Sequence, residues 1–489
     1  MIDHERLFIG GDWQLSRGDE ILAVESPATW ETIGHVPLAS PLDVDAAVAA
    51  ARRAFDEGPW PHLTMPERAD ALAALGKALD PLGPELDRLV PEESGIPVCF
   101  QSGSSSFPLI DYYARLGREF RPEDVRAGRP GVSGTAIVRH SPCGVVAGIV
   151  PWNGPVMQIL MKMVPALLAG CTIVVKTAPE TPLSAYHLAH AVEAAGLPDG
   201  VVSILPGDRD TGAALVEHPG VDRVSFTGST AAGAEIASRC GGDLRRVNLE
   251  LGGKSAAIVL EDADLGEALP TAITFALFFN GEACSALTRL LVPRSLYPEV
   301  VERTVAHVRQ LAVGDPGDPE TFIGPLISDR QRSKVEGYIA VAMQEGARLV
   351  TGGRRPPGLD RGWYLEPTVF ADVDNGMRIA REEVFGPVLS LIPYDGVEDA
   401  VRLANDSDLG LAGAIFTSDP AGALDVARRL RTGHVGINCQ GQDWVFPFGG
   451  FKRSGVGREM GIEGLELYTE LQTLALPPGI EPVGAVAGD

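Results

Sequence analysis

The sequence predicts an α/β protein built on two mostly parallel β-sheets. From residue 144 onward, short apolar runs alternate with helical segments, which is the pattern of parallel strands joined by crossover helices. The alternation is interrupted at Gly252-Gly253 and then resumes, so we place a domain boundary there. The length agrees, because 489 residues are too many for one ordinary core and favour about three packing units.

The first α/β block starts at residue 144 with the buried strand "GVVAGIV". A helix through "LMKMVPALLAG" connects it to the strand "CTIVVK", and a helix over 183–195 connects that strand to "VVSILPG". The strands in "RVSFTG" and "RRVNLELGG" complete the block. A parallel sheet of this kind predicts a nucleotide site at the carboxyl ends of its strands.

The second block repeats the alternation after residue 253. Its strands are predicted in "SAAIVL", "TRLLVP", "VLSLIPY", "LAGAIFT" and "GHVGIN". Helices are expected over 298–311 and 330–345. The block therefore predicts a second α/β domain.

Two segments fit neither block. Residues 120–141 are polar and rich in Gly and Pro before "TAIVRHS", and the chain ends with the strand-like alternation of "LYTELQTLAL". We expect these segments to pair with each other. Strands that cannot bury both faces within their own domain commonly find a partner in another subunit, so we also expect a homodimer or homotetramer.

Composition and charge exclude several classes of function. The formal charge is −24 and no basic stripe is present, so nucleic acid is not expected as a partner. No apolar run reaches the ~18 residues of a membrane span, and "MIDHERLFIGGDW" lacks the features of a secretory leader, which predicts a cytoplasmic protein. Six scattered cysteines without a CxxC motif predict reduced thiols. His187 and His190 share a helical face but have no third ligand nearby, so no metal is expected.

Single motifs leave the ligand open. "FTGSTAAG" follows a strand and opens a helix, so Gly228 and Ser229 could present backbone N–H groups to a pyrophosphate. No GxGxxG is present there, and a tight turn without a ligand is the alternative. Lys176, at the mouth of its strand, could reach a ribose or phosphate or could only extend its amine to water.

Taken together, the motifs resemble the NAD(P)-dependent aldehyde dehydrogenase superfamily over nearly the whole chain. They are "VPWN", "VVK", "FTGS", "LELGGKS", "GEAC", "GDP…GPLIS", "EEVFGPV" and "PFGGFKRSG". The resemblance implies a Rossmann-like dinucleotide-binding domain over 1–120 and 142–252. It also implies an α/β catalytic domain with a cysteine nucleophile over 253–452, and a small β oligomerisation segment over 121–141 and 467–480.

The resemblance implies the oxidation of an aldehyde to the carboxylic acid with hydride transfer to NAD(P). Cys284 looks like the nucleophile, which forms a thiohemiacetal and then a thioester. Asn153 matches the amide that completes an oxyanion hole with the backbone N–H of the cysteine. Glu250 matches the general base for the water that hydrolyses the thioester.

Cofactor contacts are implied for Pro151, Trp152, Lys176, Gly228, Ser229, Leu251, Glu383 and Phe385. Many family members have a glutamate that binds the adenosine ribose where this chain has Pro179, and Glu180 follows one residue later. That glutamate would also repel a 2′-phosphate. We therefore expect NAD as the preferred cofactor, with NADP possible. No arginine that would bind a 2′-phosphate is evident near Pro179.

The predicted substrate tunnel also departs from the family pattern. Gly154 and Met161 stand where aromatic residues are common, which indicates a wider or more pliable wall and a substrate larger than acetaldehyde. Trp444, Phe446 and Phe448 line the outer tunnel or only pack the domain junction; the sequence leaves both open. Many family members have glutamine at the position of Glu282, so this chain carries an additional carboxyl group near the nucleophile. The predicted tunnel residues are therefore Gly154, Met161, Trp444 and Phe448.

Three rival functions remain to be weighed. An acylating relative that releases its thioester to coenzyme A generally lacks the base glutamate, so Glu250 argues against it. A non-catalytic protein on the same fold has no physical need for Cys284, Asn153, Glu250 and Glu383 together. A cysteine hydrolase needs a histidine to activate the thiol, and nothing in the sequence couples one to Cys284.

Overall fold

The structure is a computed structural model. It describes residues 1–100, 102–129, 134–478 and 480. Parts of the two predicted oligomerisation segments, residues 130–133 and 479, therefore lie outside the described residues. The described chain forms two large sheets with helices packed on them, and three small sheets.

The first large sheet has eight strands among the described residues. From edge to edge they are Gly455–Val456, Arg246–Glu250, Arg223–Thr227, Val145–Ile149, Thr172–Thr177, Val202–Pro206, Arg6–Ile9 and Asp12–Leu15. The five strands from Arg246–Glu250 to Val202–Pro206 are parallel, and the other three are antiparallel to their neighbours. All five parallel strands were predicted from the sequence. Their carboxyl ends lie at one edge, where a nucleotide site is expected.

The second large sheet has seven strands in the described part of the chain. In order they are Arg348–Thr351, Thr368–Ala371, Val388–Tyr394, Arg289–Pro293, Ala256–Val259, Ala412–Phe416 and His434–Ile437. Only Arg348–Thr351 pairs antiparallel. The sequence predicted the last five of these strands and missed the first two.

Alternate residues of each parallel strand enter different hydrophobic cores. Val145 and Ala147 belong to one core, whereas Val146 between them belongs to the core on the other face of the first sheet. Ala257 and Ile258 divide in the same way in the second sheet. Strands buried on both faces need apolar side chains at nearly every position, which explains the continuous apolar runs in the sequence.

The α-helices cover these sheets and connect their strands. In the described residues they are Pro41–Asp56, Met65–Leu79, Gly83–Ser94, Pro108–Glu119, Pro155–Ala169, Leu183–Ala194, Arg209–Glu217, Thr230–Gly242, Leu265–Leu277, Tyr297–Val308, Asp329–Gln344, Arg378–Arg381, Gly396–Asn405, Pro420–Ala427 and Gly461–Glu466. Local signals set several ends: Ser40 and Thr64 each start a helix through a capping box. Gly170 ends a third helix in the left-handed conformation.

Three small sheets complete the fold. One contains Ile2–Asp3, Thr32–Pro37 and Ile21–Glu25, and a second pairs Leu409–Gly410 with Phe451–Lys452. The third contains Glu123–Ala127, Thr135–Pro142 and Thr469–Ala475. Its register places Thr469 opposite Pro142 and Ala475 opposite Ala136. The predicted pairing of the two outlying segments is therefore confirmed.

No helix in the described ranges is both long and apolar enough to cross a membrane.

Candidate active site

Two cavities meet at one cysteine. The large cavity, of about 410 Å³, is lined by Asn153, Met157, Gln158, Met161, Phe278, Phe279, Ala283, Cys284, Ser285, Gln440, Gln442, Asp443, Trp444, Phe448 and Met460. The inner cleft, of about 180 Å³, is lined by Pro151, Trp152, Asn153, Thr227, Gly228, Ser229, Glu250, Leu251, Gly252, Cys284, Gln331, Lys334, Glu383 and Phe385. Asn153 and Cys284 belong to both walls. A molecule in either cavity can therefore reach the thiol.

The loop before the cysteine is fixed by buried contacts. Asn280, fully buried with φ +59°, donates from Nδ2 to the carbonyl oxygens of Gly95 and Pro325, both at 2.9 Å. A side chain on Gly281 would meet the carbonyl oxygen of Gly386 at 2.2 Å, so only glycine fits at this corner. The Asn-Gly corner thus positions the cysteine that follows it.

Asn153 lies just beyond the carboxyl end of the strand Val145–Ile149 and is buried. Its Nδ2 donates one hydrogen bond, of 2.8 Å, to the carbonyl oxygen of Glu282. An amide nitrogen carries two hydrogens, so one N–H is left for a ligand beside Cys284. This geometry suits an oxyanion hole.

The cysteine is held as a neutral thiol. Burial raises the pKa of Cys284 to about 12, and the carboxylates of Glu383 and Glu250 add to the effect.

Glu282, whose role the sequence left open, lines neither cavity. It is fully buried and its Oε1 accepts a hydrogen bond of 3.2 Å from the backbone N–H of Ile327. The extra carboxyl group therefore supports the loop from behind.

Glu250 ends the strand Arg246–Glu250 and points into the inner cleft. It is 3% exposed, and neither carboxylate oxygen has a hydrogen-bond partner among the described residues. Burial, together with the charge of Glu459, raises its pKa well above the usual range. Glu459 itself forms a buried ion pair with Lys162. A buried, unpartnered carboxyl group with a raised pKa is the form expected of a general base.

Contacts between neighbouring residues position the walls of the inner cleft. Glu383 accepts a hydrogen bond of 3.1 Å at Oε1 from the backbone N–H of Gly253. A side chain on Gly252 would meet Glu383 Oε2 at 2.2 Å and would displace that carboxyl group from the cleft wall. The rings of Trp152 and Phe385 stand edge to face, 5.4 Å between centroids.

A third cavity, which we call the outer cleft, lies beside the first large sheet and measures about 210 Å³. Its walls include Lys176, Asp208, Arg209, Phe226 and Arg239. Burial lowers the pKa of Lys176 to about 8. Between the two clefts, Ser229 caps the helix Thr230–Gly242 by accepting from the N–H of Ala232. Two clefts on either side of a helix amino terminus fit a dinucleotide whose pyrophosphate lies at that terminus.

Most predicted site residues lie in these walls. All the predicted cofactor contacts except Lys176 and Pro179 line the inner cleft, and Lys176 lines the outer one. Pro179 lines neither. Met161, Trp444 and Phe448 line the large cavity. Phe446 does not, and it is 52% exposed.

Gly154 does not line the large cavity either. Met157 lines the cavity instead. Its Cε atom lies 3.2 Å from the position that a Cβ atom on Gly154 would take. Sequence reasoning missed Met157, although it lies one helical turn before Met161 and so shares its face. It also missed Arg209 and Arg239, which long-range folding brings to the outer cleft.

An apolar cavity and the inner of two clefts that together suit a dinucleotide meet at one thiol, an arrangement that suits a dehydrogenase. The family model described as "Aldehyde dehydrogenase family" matches residues 13–474, and the chain belongs to that family. It is thus an enzyme that oxidises an aldehyde to the carboxylic acid with hydride transfer to NAD.

Similar proteins agree with this family. Geranial dehydrogenase of Castellaniella defragrans is 45% identical over 97% of this chain and 99% of that protein. The NAD+ complex of an aldehyde dehydrogenase from Mycobacterium tuberculosis has a TM-score of 0.96 at 47% identity, over 98% of this chain and 100% of that one. A mutant of aldehyde dehydrogenase C from Pseudomonas syringae, in complex with NAD+ and octanal, has a TM-score of 0.93 at 38% identity, over 96% of each chain.

Proposed function

We propose that this enzyme oxidises long, apolar aldehydes, with Cys284 as nucleophile, Asn153 as oxyanion donor and Glu250 as general base. The observation that carries the proposal is the large cavity of about 410 Å³ that ends at Cys284. Its walls combine three methionines and four aromatic side chains. Methionine side chains adapt to irregular apolar ligands, and a cavity of this size accepts far more than two carbon atoms.

The chemistry starts with addition of Cys284 Sγ to the aldehyde carbonyl carbon, while the thiol proton passes to the ionised carboxylate of Glu250 in the same cleft and from there to solvent. The resulting oxyanion accepts hydrogen bonds from the backbone N–H of Cys284 and from the second N–H of Asn153. NAD, when bound, supplies the acceptor for the hydride that leaves this carbon. A thioester on Cys284 remains. Glu250 then takes a proton from water as the water oxygen attacks the thioester, which releases the acid and restores the thiol.

The dinucleotide would be held by groups that already converge on the two clefts. Glu383 and Lys176 are placed for the two riboses, and the helix start at Ser229 is placed for the pyrophosphate. NAD is the preferred cofactor in this proposal. Measurable use of NADP is expected as well, because Pro179 carries no charge that would repel a 2′-phosphate.

Two relatives support an extended apolar substrate. Geranial dehydrogenase takes its name from a terpenoid aldehyde, and the Pseudomonas syringae enzyme was solved with octanal. Gln442 and Asp443 in the cavity wall are exposed to solvent, whereas the polar side chains of Asn153, Gln158, Ser285 and Gln440 are buried in it. Among the lining residues that the structure describes, Asp443 is the one charged side chain, so the buried part of the wall suits an uncharged substrate. A substrate with a charged tail would lose its hydration in the inner part of the cavity.

The test is NADH formation with straight-chain aldehydes from two to ten carbons, and with geranial. We expect kcat/KM to rise roughly three- to fourfold for each added methylene until the cavity is filled, since each buried CH₂ contributes about 0.8 kcal/mol. Met161→Trp should remove this gain for octanal and leave acetaldehyde oxidation unchanged. Equal kcat/KM for acetaldehyde and octanal would refute the proposed substrate class.

We further propose a homodimer or homotetramer that assembles through the strand Thr469–Ala475. This strand forms one edge of its sheet, and Leu471 is 67% exposed on it.

We propose the cytoplasm as the location of the enzyme. The free state of all six cysteines supports this proposal, because disulfides are rare in reducing compartments.

A further inference from the structure

Two thiols outside the reaction centre lie in contact with each other. The Sγ atoms of Cys143 and Cys171 are 3.5 Å apart. Cys171 immediately precedes the strand Thr172–Thr177, and Cys143 lies two residues before the strand Val145–Ile149 that pairs with it, with Val145 opposite Thr172. A disulfide bond requires about 2.05 Å between the sulfur atoms, so only a small rotation separates the thiols from bonding distance. Each cysteine adjoins a glycine, Gly144 or Gly170, which lowers the cost of that rotation.

The two thiols differ in access and acidity. Cys143 is partly exposed, whereas Cys171 is fully buried. The hydrogen bond from Cys171 and the nearby guanidinium of Arg223 lower the pKa of Cys143, against the opposing effects of burial and of Asp222. Burial raises the pKa of Cys171. The thiolate therefore forms more readily on Cys143, the partly exposed residue of the pair.

We propose that Cys143 and Cys171 are a modification site that forms a reversible disulfide bond on reaction with a hydroperoxide. The Cys143 thiolate attacks the outer oxygen and breaks the O–O bond, which gives a sulfenic acid on Cys143 and one alcohol or water. The Cys171 sulfur then attacks the Cys143 sulfur. The S–S bond forms and water leaves with the Cys171 proton. The two sulfurs are oxidised and the peroxide is reduced by the same two electrons.

The cysteine pair and the proposed catalytic residues lie at opposite ends of the strands of the first large sheet. The cysteines lie at the amino ends of their strands, whereas Lys176 and Asn153 lie at or beyond the carboxyl ends. The start of the terminal strand lies near the cysteines: the carbonyl oxygen of Tyr468 accepts from the Cys143 N–H at 3.0 Å and, at 3.3 Å from Cys171 Sγ, is the alternative acceptor to Cys143 Sγ for the single Cys171 S–H. Oxidation removes this S–H group and adds a covalent link. We therefore expect a changed thermal stability and an unchanged kcat.

The experiment uses the full-length enzyme with its NAD and hydrogen peroxide, followed by alkylation of free thiols and peptide mass spectrometry. We expect a cross-linked pair of peptides containing Cys143 and Cys171, lighter by two hydrogens and separated again by dithiothreitol. Cys171→Ser should instead leave a sulfenic acid on Cys143 that dimedone traps. Cys439→Ser, a change at an exposed thiol, is the matched control and should keep the cross-link.

Two outcomes would overturn the proposal. One is recovery of Cys143 and Cys171 as free thiols at a peroxide dose that fully oxidises the exposed Cys439. The other is a cross-link of Cys143 to a cysteine other than Cys171. Mapping of the wild-type enzyme alone decides between these results and the expected one, even if Cys171→Ser does not fold.

Discussion

At the scale of single residues, the proposed nucleophile and the proposed general base both have shifted pKa values. Cys284 is a thiol with a pKa raised to about 12, and Glu250 is a carboxyl group with a pKa raised well above its usual range. Both shifts have burial as their main cause. The raised pKa of Cys284 favours the thiol, and the raised pKa of Glu250 makes its ionised form a stronger proton acceptor, as the proposed general-base role requires.

Cys284→Ala should abolish aldehyde oxidation while NAD binding persists, because the dinucleotide is held by other groups. The kcat should fall to less than about a hundredth of the wild-type value, in line with losses when a nucleophile is removed. Steady-state NADH formation and a fluorescence titration with NAD measure the two properties. Cys439→Ala, at an exposed thiol away from the cavity walls, is the control and should retain full activity.

Glu250→Gln should slow but still permit hydride transfer, because water can also accept the thiol proton, and should stall thioester hydrolysis, since an amide cannot accept the proton of water. Stopped-flow measurement should then show a burst of about one NADH per site followed by slow turnover. A normal steady-state rate without a burst would contradict the role of Glu250 as general base.

The choice between NAD and NADP is predicted to depend on residues around the outer cleft. Pro179→Glu should sharpen the preference for NAD by on the order of tenfold, the effect of one charge-assisted hydrogen bond of ~1.5–3 kcal/mol. Arg209→Ala should lower kcat/KM for NADP by a similar factor and leave NAD unchanged. Glu180 faces Lys176 and lies 3.8 Å from Arg330. A strict NAD preference that collapses only in Glu180→Ala would show that Glu180, not position 179, is the residue that governs the ribose.

At the scale of elements, the terminal strand Thr469–Ala475 lies at the edge of its small sheet. It pairs along one side with Thr135–Pro142, and five of its seven residues are exposed. Removal of residues 467–489 should therefore leave Thr135–Pro142 as an open edge and disrupt assembly and solubility. Light scattering measures the result against a control chain that ends at Ile480. An unchanged, active oligomer would contradict the proposed assembly role.

At the scale of the whole molecule, buried carboxyl groups couple stability to pH. Burial raises the pKa of Glu93 and of Glu383 to about 7, and that of Glu282 well above the usual range. The folded state binds these protons more tightly than the unfolded state. Stability is therefore greatest below about pH 4.5, as far as these groups decide it, and is lost as pH rises toward the folded pKa values.

Glu282→Gln should reduce this loss. The amide oxygen can still accept from the Ile327 N–H, but the side chain no longer has a proton to lose. The slope of unfolding free energy against pH should decrease by up to about 1.4 kcal/mol per pH unit above pH 5. Thermal unfolding from pH 5 to 8 at constant protein concentration measures it. Glu302→Gln, at an exposed position, should follow the wild-type curve, and parallel curves for all three proteins would contradict the prediction.

Much of the fold follows from local patterns in the sequence. The helix predicted over 183–195 is Leu183–Ala194, and the apolar run "CTIVVK" is the strand Thr172–Thr177, because strands buried on both faces carry their signal at every position. The edge strand Arg348–Thr351 and its neighbour Thr368–Ala371 were missed, since both are short. Their pairing with each other, and that of Thr368–Ala371 with Val388–Tyr394, is not local.

The sequence by itself determined the family, the reaction and the residue types at the reaction centre, because these depend on which side chains stand in which motif. Only the tertiary structure decided what surrounds them. It turned Glu282 away from Cys284 toward Ile327, brought Arg209 into the outer cleft, and placed Cys143 against Cys171 across 28 residues of chain. These contacts join segments that are distant in sequence, and their distances are set by the packing of whole sheets and helices, which no local pattern encodes.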